Sequence, residues 1–425
     1  MKLIFVNRFF HPDHSATSQL LSDLAFALAG QGHEVTVITS RLRYDDPAVQ
    51  LPARDIVNGV RVERVRTTGF GRRTLAGRAI DYLSFYGAAA LALVAAARRG
   101  SVIIAKTDPP MLSVMAAPIA MVRGAVLVNW HQDVFPEVMQ ALGLMRGRGG
   151  RLLLGLLRWL RNRSLRRAAV NIVLGPAMAR HLIGEGAPPE KIRIMPNWAD
   201  GALIRPVARA DNALRRSWGF EGQFVVGYSG NLGRAHEIDT FVDAIALVQA
   251  KVAAQTGDDA KLAGRIRWLF IGGGAQMQAM REAVAARGLG DVRFEDYQPR
   301  ERLAESLSLP DLHLISLRPD MEGLIVPSKY YGIAAAGRPA LMIGAADGDI
   351  GNLLGETGTG RVIAEGDAAG LADAVMAFAR DPEKTARQGE AARALFEARF
   401  ALPHALERWR AMLASLPGAD KGSVG

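Results

Sequence analysis

Apolar residues follow two different periods along this chain. Short runs of branched and aromatic residues, such as the Leu-Ile-Phe-Val that follows Met1-Lys2, precede longer stretches whose apolar residues lie three and four positions apart. The short runs are typical of buried parallel strands, and the longer stretches are typical of amphipathic helices. Repeated strand–helix units of this kind predict an α/β fold with parallel sheets.

The predicted elements form two series. The first has strands at 2–6, 34–39, 61–65, 102–105, 125–130 and 170–174, with helices at 18–31 and 108–121. The second has strands at 223–228, 267–271, 292–295, 312–316 and 340–343, with helices at 237–253 and 276–287. The Pro-containing stretch 195–209 suits a linker. We therefore predict two Rossmann-like domains, at 1–200 and 211–395, followed by a helical segment at 396–416. In such sheets, ligands bind in a cleft at the carboxyl ends of the strands.

Composition excludes several classes of protein. The chain has 425 residues, enough for two or three domains, and no Cys, which excludes a disulfide framework, thiolate metal sites and Cys nucleophiles. Only four apolar residues precede Asn7, too few for a signal peptide. The charge-free run 82–97 is shorter than the roughly 20 residues of a membrane span, so we expect a buried helix there. A cytoplasmic location is the resulting prediction.

The positive charge is concentrated in the first half. Residues 1–200 carry 26 Lys+Arg and 14 Asp+Glu, a net +12, whereas residues 201–425 carry 26 and 28, a net −2. Eight arginines and no acid lie in 146–167, interleaved with Leu and Trp159. A basic helix with an apolar side can lie in a membrane interface and attract anionic lipid. The alternative is an ordinary helix with Leu on the core and solvated Arg. Nucleic acid is disfavoured, because the segment has one aromatic residue and no recognised motif.

Two glycine-rich turns follow strands of the second series. Gly230, Asn231 and Gly233, with Arg234, lie in Tyr-Ser-Gly-Asn-Leu-Gly-Arg between a strand and a helix. Glycines let the backbone approach a phosphate, and a helix N-terminus offers it free N–H groups. A plain tight turn remains the alternative. Gly273 lies in a second Gly cluster, but no acidic residue stands where a dinucleotide site needs one.

A third segment combines three features of an anion site. Glu322 precedes Val-Pro-Ser-Lys, in which Ser328 and Lys329 stand at a predicted helix start. A helix N-terminus, a hydroxyl and an ammonium together suit a diphosphate, and the carboxylate could accept hydrogen bonds from sugar hydroxyls. A capped helix with a surface Lys is the alternative.

The first series has its own candidates at a strand end. His131 and Asp133 follow the apolar strand at 125–130, where they could orient or deprotonate a substrate. His131 could instead be a packed core residue, and Asp133 a helix cap. Asp347 and Asp349 have DxD spacing, but Asp is common in such Gly-containing turns, so we expect no metal and no other cofactor.

In this order, these segments resemble the bacterial glycosyltransferases of family 4. Phe9-Phe10-His11-Pro12, Pro196-Asn197-Trp198, the Gly230–Gly233 turn and Val326-Pro327-Ser328-Lys329 carry the resemblance over nearly the whole chain. They are most similar to the branch of colanic acid and O-antigen transferases. The resemblance implies a GT-B fold: two Rossmann-like domains facing a cleft, with the C-terminal helix crossing back to the first domain.

The resemblance also implies an activity and its partners. A sugar would pass, with retention and without metal, from a UDP- or GDP-linked donor to a polyprenyl-diphosphate-linked saccharide in exopolysaccharide or O-antigen synthesis. Ser328 and Lys329 would hold the donor diphosphate, with the Gly230–Gly233 turn against it and Glu322 facing the sugar or ribose. The acceptor would bind the first domain, where Asp133 or His131 would act on its hydroxyl.

Three positions depart from the family pattern. Gly332 stands where many members have a second Glu. Asn231 and His236 replace the usual Arg and Lys, which leaves Arg234 or Lys329 to neutralise the diphosphate. Ser15 occupies the loop that is Gly-Gly in the family.

An anionic lipid acceptor favours the membrane interpretation of the basic helix. We expect Arg158, Trp159, Arg161, Arg163 and Arg166 to meet the membrane or the acceptor, and the protein to lie peripherally on the inner face of the cytoplasmic membrane. The remaining alternatives are a sugar-nucleotide epimerase or hydrolase of the same fold, and a non-catalytic scaffold of a polysaccharide assembly complex.

Overall fold

The computed structural model describes residues 1–13, 15–43, 46, 49–71, 74–254, 262 and 265–417. The chain forms two compact units. Unit 1 contains Met1–Pro196, Gly323–Ile325 and the chain from Ala405, and unit 2 contains Asn197–Glu322 and Val326–His404. Each unit is built on its own largely parallel sheet, as the two series of strands predict.

The sheet of unit 1 has the order β3-β4-β2-β1-β5-β6-β7-β8. Its strands are β1 Lys2–Val6, β2 Glu34–Ser40, β3 Arg54–Val57, β4 Val60–Val65, β5 Val102–Ala105, β6 Val126–Trp130, β7 Val170–Val173 and β8 Ile192–Ile194. Neighbouring strands are parallel except β3 and β4, which form a hairpin around Asn58 and Gly59, both with positive φ. Sequence analysis missed β3, although Asn-Gly is a strong hairpin signal.

Helices cover the sheet of unit 1. They are α1 Ala16–Gly30, α2 Leu75–Ala96, α3 Leu112–Arg123, α4 Glu137–Ala141, α5 Gly147–Arg167 and α6 Pro176–Gly184. Helix α1 begins two residues before its predicted start, because the Ser15 hydroxyl accepts the Ser18 N–H at 3.4 Å and caps it. Helix α3 begins four residues later than predicted, after Pro109 and Pro110, which restrict the chain before it.

Helix α2 differs from the buried helix expected at 82–97. Phe85, Ala89 and Leu93 pack against the core of unit 1, but Leu83 and Leu91 on the opposite side are exposed. The helix is therefore buried along one face only. Among the described residues, Ala76–Ala96 is the one helical stretch long and apolar enough to cross a membrane by length and composition. Its length and composition alone are weak evidence for a membrane span, and 22% of this stretch is buried inside the structure.

Unit 2 has a six-stranded sheet of order β11-β10-β9-β12-β13-β14, whose neighbouring strands all run parallel. Its strands are β9 Phe224–Asn231, β10 Ile266–Gly273, β11 Val292–Glu295, β12 Leu312–Ser316, β13 Ala340–Ile343 and β14 Gly360–Ile363. Its helices are α7 Ala213–Ser217, α8 Asp239–Ala254, α9 Met277–Ala286, α10 Leu303–Ser308, α11 Lys329–Ala335, α12 Asp349–Thr357, α13 Ala368–Arg380 and α14 Pro382–Arg399. The interior of this unit is an aromatic and aliphatic core between the sheet, α8 and α13.

The C-terminal part of the chain is helical, as expected, but in two pieces around residue 400. Helix α14 ends at Arg399, and α15 spans Leu402–Ala414. Trp409 of α15 is almost fully buried in unit 1. Its ring centre lies 4.9 Å from that of Trp130 and 6.4 Å from that of Phe5. Aromatic pairs in this range add to the stabilisation from burial alone, so α15 contributes to the core of unit 1.

Candidate active site

A lysine with neutral partners lies at the end of β9 in unit 2. The Lys329 Nζ donates to the Tyr228 hydroxyl at 2.6 Å and lies 4.4 Å from the centre of that ring. Longer contacts of 3.4 Å join it to the Asn231 carbonyl oxygen and to His236 Nε2. None of these partners is an anion, so none of them neutralises the positive charge of Lys329.

The protonation of this cluster follows from its hydrogen bonds. His236 Nδ1 lies 2.5 Å from the Ser316 carbonyl oxygen and must be its donor, so Nε2 is an acceptor for Lys329. Burial, and then the charge of Lys329, lower the pKa of His236 to about 3, which keeps the imidazole neutral. Burial also lowers the pKa of Lys329 to about 7. An anion bound beside Lys329 would favour its charged form.

Glycines are required where β9 and β10 end. Gly230 has φ +123°, and a Cβ there would lie 3.4 Å from Lys329 Cε. Gly272 has φ +122°, and its Cβ would lie 2.4 Å from the Gly230 carbonyl oxygen. The Gly273 carbonyl oxygen accepts the Leu232 N–H at 2.7 Å. The two glycine clusters found in the sequence therefore pack against each other beside Lys329.

The glycine turn is followed by a helix, as expected, but a short loop separates the two. Helix α8 begins only at Asp239, and Glu237 Oε1 accepts the Thr240 N–H at 2.7 Å in its first turn. The Glu237 carboxylate thus already caps this helix end. Asn231, the last residue of β9, and Arg234, on the loop that follows, are exposed. Any phosphate contact at this turn must therefore come from loop N–H groups or side chains rather than from the start of α8.

The two other predicted donor residues lie on either side of the Val-Pro segment. Ser328 is exposed and precedes α11 without capping it through its side chain. Glu322 Oε1 accepts the Asp349 N–H at 2.9 Å at the first turn of α12. A Cβ on Gly348 would lie 2.4 Å from Glu322 Oε2, so glycine is needed for this approach. Glu322 therefore has a capping role that sequence analysis did not foresee.

Unit 1 contains a cavity of about 440 Å³ among residues that follow β1, β5 and β6. Its charged and aromatic lining residues are Arg8, Arg43, Arg78, Asp81, Asp108, Asp133, Phe9, Tyr82 and Phe135. Arg8 forms an ion pair with Asp81, at 3.4 Å, within this lining. Mixed cationic, acidic and aromatic surfaces of this kind suit a polar ligand with both hydroxyl and anionic groups.

Asp133 has the electrostatic character of an acid–base group. Burial, and then the nearby Asp108 carboxylate, raise its pKa to about 6, against an opposing effect of Lys106. His131 is buried beside it, and burial followed by the charge of Arg161 lowers its pKa to about 3. Both line a small adjoining cavity of about 10 Å³. Near neutral pH, Asp133 can exchange a proton, whereas His131 stays neutral.

Lys106 is a residue of this site that sequence analysis missed. Its Nζ donates to the Thr17 carbonyl oxygen at 2.6 Å and lies 3.9 Å from the centre of the Trp130 ring. Burial lowers its pKa well below the usual value, although Asp108, Asp23 and Asp133 act in the opposite direction. Lys106 directly follows β5, just as His131 and Asp133 follow β6. The same pattern of charge after an apolar strand could have found it.

The predicted membrane arginines separate into two groups. Arg161 is buried, with its guanidinium 2.7 Å from Glu137 and 3.2 Å from Glu185, and Arg158 lies 3.0 Å from Glu137. Arg161 therefore stabilises the interior of unit 1 and does not lie on its surface. The remaining three predicted residues are exposed on α5: Trp159, Arg163 and Arg166.

One trio of possible metal ligands occurs among the described residues. Glu137, His181 and Glu185 have ligand atoms within 4.8 Å of one another. Arg161 already supplies a cation to both carboxylates. These contacts make the trio an ion-pair cluster of unit 1.

Comparisons with known proteins agree with this architecture. Residues 17–198 match the model of the glycosyl transferase 4-like domain, and residues 211–395 match that of the glycosyl transferases group 1. The matched segments lie in unit 1 and unit 2, respectively. The chain belongs to the GT-B glycosyltransferases of family 4, as the sequence motifs predicted.

Two curated relatives are glycosyltransferases by name, and one of them is named for the predicted branch. The chain is 28% identical over 268 residues to WbjE of Pseudomonas aeruginosa, named as a glycosyltransferase, and 26% identical over 239 residues to WcaI of Escherichia coli K12, named for colanic acid biosynthesis. The match to WbjE spans 63% of this chain and 63% of WbjE. The match to WcaI spans 55% of this chain and 55% of WcaI. The chain therefore aligns with somewhat under two thirds of each relative.

Solved structures share the fold over nearly the full chain. A sucrose-phosphate synthase from Thermosynechococcus elongatus superposes with a TM-score of 0.73 at 17% identity, covering 98% of this chain and all of that one. HepE of Anabaena, solved with UDP-glucose, gives 0.71 at 16% identity with the same coverage. At these identities, the likeness confirms the predicted class of two Rossmann-like α/β domains.

Proposed function

We propose that this protein is a retaining glycosyltransferase that moves a sugar from a nucleotide sugar to a lipid-linked saccharide. The observation that carries the proposal is the Lys329 ammonium, held at the end of β9 by a phenol, a carbonyl oxygen and an imidazole. Two of its three contacts are long, so oxygen atoms of a diphosphate can replace them at little loss. Charge-assisted bonds to phosphate are shorter and stronger than the contacts they would replace.

The proposed donor is a UDP- or GDP-linked sugar bound to unit 2. HepE, a protein of the same fold, has been solved with UDP and with UDP-glucose, which supports the UDP alternative. Lys329, the Gly230–Gly233 turn and the exposed Ser328 would contact the diphosphate. Arg234, on the same turn, would add a second cation.

In the reaction, the bond between the anomeric carbon and the diphosphate oxygen breaks, and its electron pair leaves with the nucleoside diphosphate. The acceptor hydroxyl forms the new bond on the same face of the sugar. Its proton passes to the leaving phosphate oxygen or to Asp133. Lys329 stabilises the charge that develops on the leaving group, a type of contribution that is often the largest in such reactions.

The proposed acceptor is a saccharide on a polyprenyl diphosphate, as used in exopolysaccharide or O-antigen synthesis. The colanic acid name of one relative supports this class of product. The cavity of unit 1 is lined by three arginines, of which Arg8 is paired with Asp81, and by aromatic rings that would pack against a sugar. Asp133, on its lining, would orient or deprotonate the acceptor hydroxyl.

We propose that no metal takes part, because Lys329 and loop N–H groups would carry the charge of the leaving group. Activity should then persist in EDTA at the level seen before chelation. Loss of transfer in EDTA, with recovery on adding Mg²⁺ or Mn²⁺, would contradict this part of the proposal.

The test begins with thermal shift of the purified protein against UDP-, GDP- and dTDP-sugars. A ligand that binds only the folded state raises stability by about 2.7 kcal/mol at a hundredfold excess over its dissociation constant. The nucleotide that produces a shift is then assayed for transfer to a lipid-linked acceptor. Release of nucleoside diphosphate without transfer would favour a hydrolase or epimerase, and no shift with any nucleotide sugar would favour a scaffold.

A further inference from the structure

Exposed apolar side chains are concentrated on one part of unit 1. Among the described residues, seventeen large apolar side chains are exposed, and ten of them lie on α2, α3 and α5. Helix α3 contacts both α2 and α5, so the three helices are neighbours. We call their solvent-facing surface the three-helix face. Unit 2 contributes only Tyr297 to the seventeen.

Helix α5 presents part of its apolar surface to solvent, although Leu154 and Leu165 are buried. Leu152, Leu156 and Trp159 are exposed at four- and three-residue spacing, whereas Arg161 is buried against Glu137. A helix that served only to pack would turn more of its Leu side chains inward and would not bury an arginine. The outward Leu and Trp side chains therefore require a reason beyond folding.

Helix α2 gives the face its longest apolar stripe. Leu83 and Leu91 point away from the core, while Phe85, Ala89 and Leu93 are packed on the sheet. The packed face holds α2 flat on unit 1, because removing it would expose those core side chains to solvent. The stripe can thus be covered by a surface that lies over the helix, and α2 need not span a membrane.

The charge on the three-helix face has a single sign. Asp81 is the only acid in α2, α3 and α5, and it is 1% exposed. Exposed arginines, including Arg163 and Arg166, lie on the same helix as the exposed Leu and Trp side chains of α5. The Arg163 guanidinium lies 5.8 Å from the centre of the Trp159 ring. Arg beside Trp is typical of membrane–water interfaces.

From apolarity and charge together, we infer that the three-helix face docks unit 1 on an anionic lipid bilayer, with α2 and α5 lying in its interface. The occupant is a bilayer because the face combines exposed apolar side chains with exposed arginines and has no exposed acid in its helices, which complements anionic headgroups over acyl chains. Docking would hold the protein peripherally at the inner face of the cytoplasmic membrane, where a lipid-linked acceptor resides. The inference thus deepens the proposed function, but its test needs no sugar transfer.

The test uses flotation of the full chain with vesicles of phosphatidylcholine containing 30% phosphatidylglycerol. The variant Leu83→Gln/Leu91→Gln should bind at least tenfold more weakly than the wild type, because two apolar side chains lose their transfer into the interface. The matched control is Ile56→Gln on β3. Ile56 is 75% exposed and Leu91 is 76% exposed, but Ile56 lies outside the three helices. The control should bind like the wild type.

A second pair of variants tests the contribution of the arginines to vesicle binding. Arg163→Gln/Arg166→Gln should weaken binding roughly fivefold for each arginine at low salt and reduce its salt dependence. Arg361→Gln/Arg387→Gln removes the same charge from exposed positions of unit 2 and should have little effect. Quenching of tryptophan emission by brominated lipid should fall in Trp159→Phe.

Three outcomes would overturn the inference: no binding of the wild type to anionic vesicles, equal loss in the Leu and Ile56 variants, or a dimer in sedimentation velocity that Leu83→Gln/Leu91→Gln dissociates. The last would assign the face to a second copy of the chain. Nucleotide-sugar binding measured on the same variants separates these outcomes from failure of the proposed function. We expect the variants of the three-helix face to bind vesicles more weakly and to keep the thermal shift that the nucleotide sugar produces.

Discussion

Each unit of this protein holds a lysine beside an aromatic ring near the end of a parallel strand, but the two lysines have opposite surroundings. Lys106 in unit 1 lies over Trp130, and three aspartates act on its charge. Lys329 in unit 2 lies over Tyr228 with only neutral partners. The same side chain therefore balances carboxylates in one unit and remains available to an external anion in the other.

From this difference we expect the two lysines to have different functions. An ammonium whose partners are neutral gains most from a diphosphate, because the ligand brings the missing negative charge. An ammonium among carboxylates instead adjusts their pKa values, here that of Asp133. We therefore expect the two lysines to respond differently to the same substitution.

The largest expected effect comes from Lys329→Met. Loss of one positioned donor to a developing negative charge lowers turnover by about 10²–10³-fold in comparable sites, and we expect at least a tenfold loss here. Initial rates at saturating donor measure this, and thermal shift with the nucleotide sugar should show weaker binding.

The control for that experiment is Lys191→Met, on a lysine at the surface of unit 1. It should keep the wild-type rate. Wild-type turnover in Lys329→Met, with an unchanged nucleotide shift, would remove Lys329 from the donor site and end the contrast between the two lysines.

Lys106→Met should act on the pH profile rather than on donor binding. Lys106 lowers the pKa of Asp133, so its removal should raise that pKa above its present value of about 6. If Asp133 must be ionised, the acid limb of kcat/KM moves to higher pH, and the rate at pH 6 falls by up to about tenfold per pH unit of movement. The nucleotide shift should be unchanged. An unmoved acid limb would show that Asp133 is not the group that titrates.

Sequence reasoning found Lys329 but not Lys106, and the reason is physical. Lys329 stands in Val-Pro-Ser-Lys at a helix start, a local pattern with a known anion-binding logic. The role of Lys106 depends on contacts with Thr17 and Trp130, which come from distant parts of the chain. The place of Lys106 directly after an apolar strand is visible in the sequence, but its long-range contacts, and hence its role, are not.

The fold was easier to predict from the sequence than the site, because a buried strand corresponds to a local run of apolar residues. The strands missed were short or exposed, such as Arg54–Val57, Ile192–Ile194 and Gly360–Ile363. The side on which a helix packs was harder to predict. Nothing in the sequence of α5 indicates that Arg161 turns inward, because its partner Glu137 lies 24 residues away.

If Lys329 binds the donor diphosphate, the protein should take up protons when the donor binds. Its pKa of about 7 in the free protein should rise once a diphosphate is bound, so uptake should be about half a proton at pH 7 and approach one proton above pH 8. Affinity then weakens by up to tenfold per pH unit above pH 7. Calorimetry in two buffers of different ionisation enthalpy measures the uptake.

A nucleotide sugar is the right ligand for this titration, because the terminal phosphate of a free nucleoside diphosphate itself titrates near pH 6. Lys329→Met serves as the control and should show no uptake. Equal uptake in that variant would point to another group and would weaken the distinction between the two units.

The smallest expected effect concerns stability and lies in unit 1. Because the folded-state pKa of Asp133 is about 6 and the usual value is 3.8, the folded carboxyl holds its proton more tightly than the unfolded one. Ionisation therefore destabilises the fold progressively as pH rises from about 4 to 6, and the loss is complete above 6. Asp133 is partly exposed, so solvent screens its charge, and the expected loss of stability is roughly 1 kcal/mol, or about 2–4 °C in Tm.

Asp133→Asn should then unfold at a higher temperature than the wild type at pH 7.5 and at the same temperature near pH 4. A gain that is equal at both pH values would reflect packing rather than charge, and would leave Asp133 without the acid–base character that distinguishes unit 1 from unit 2.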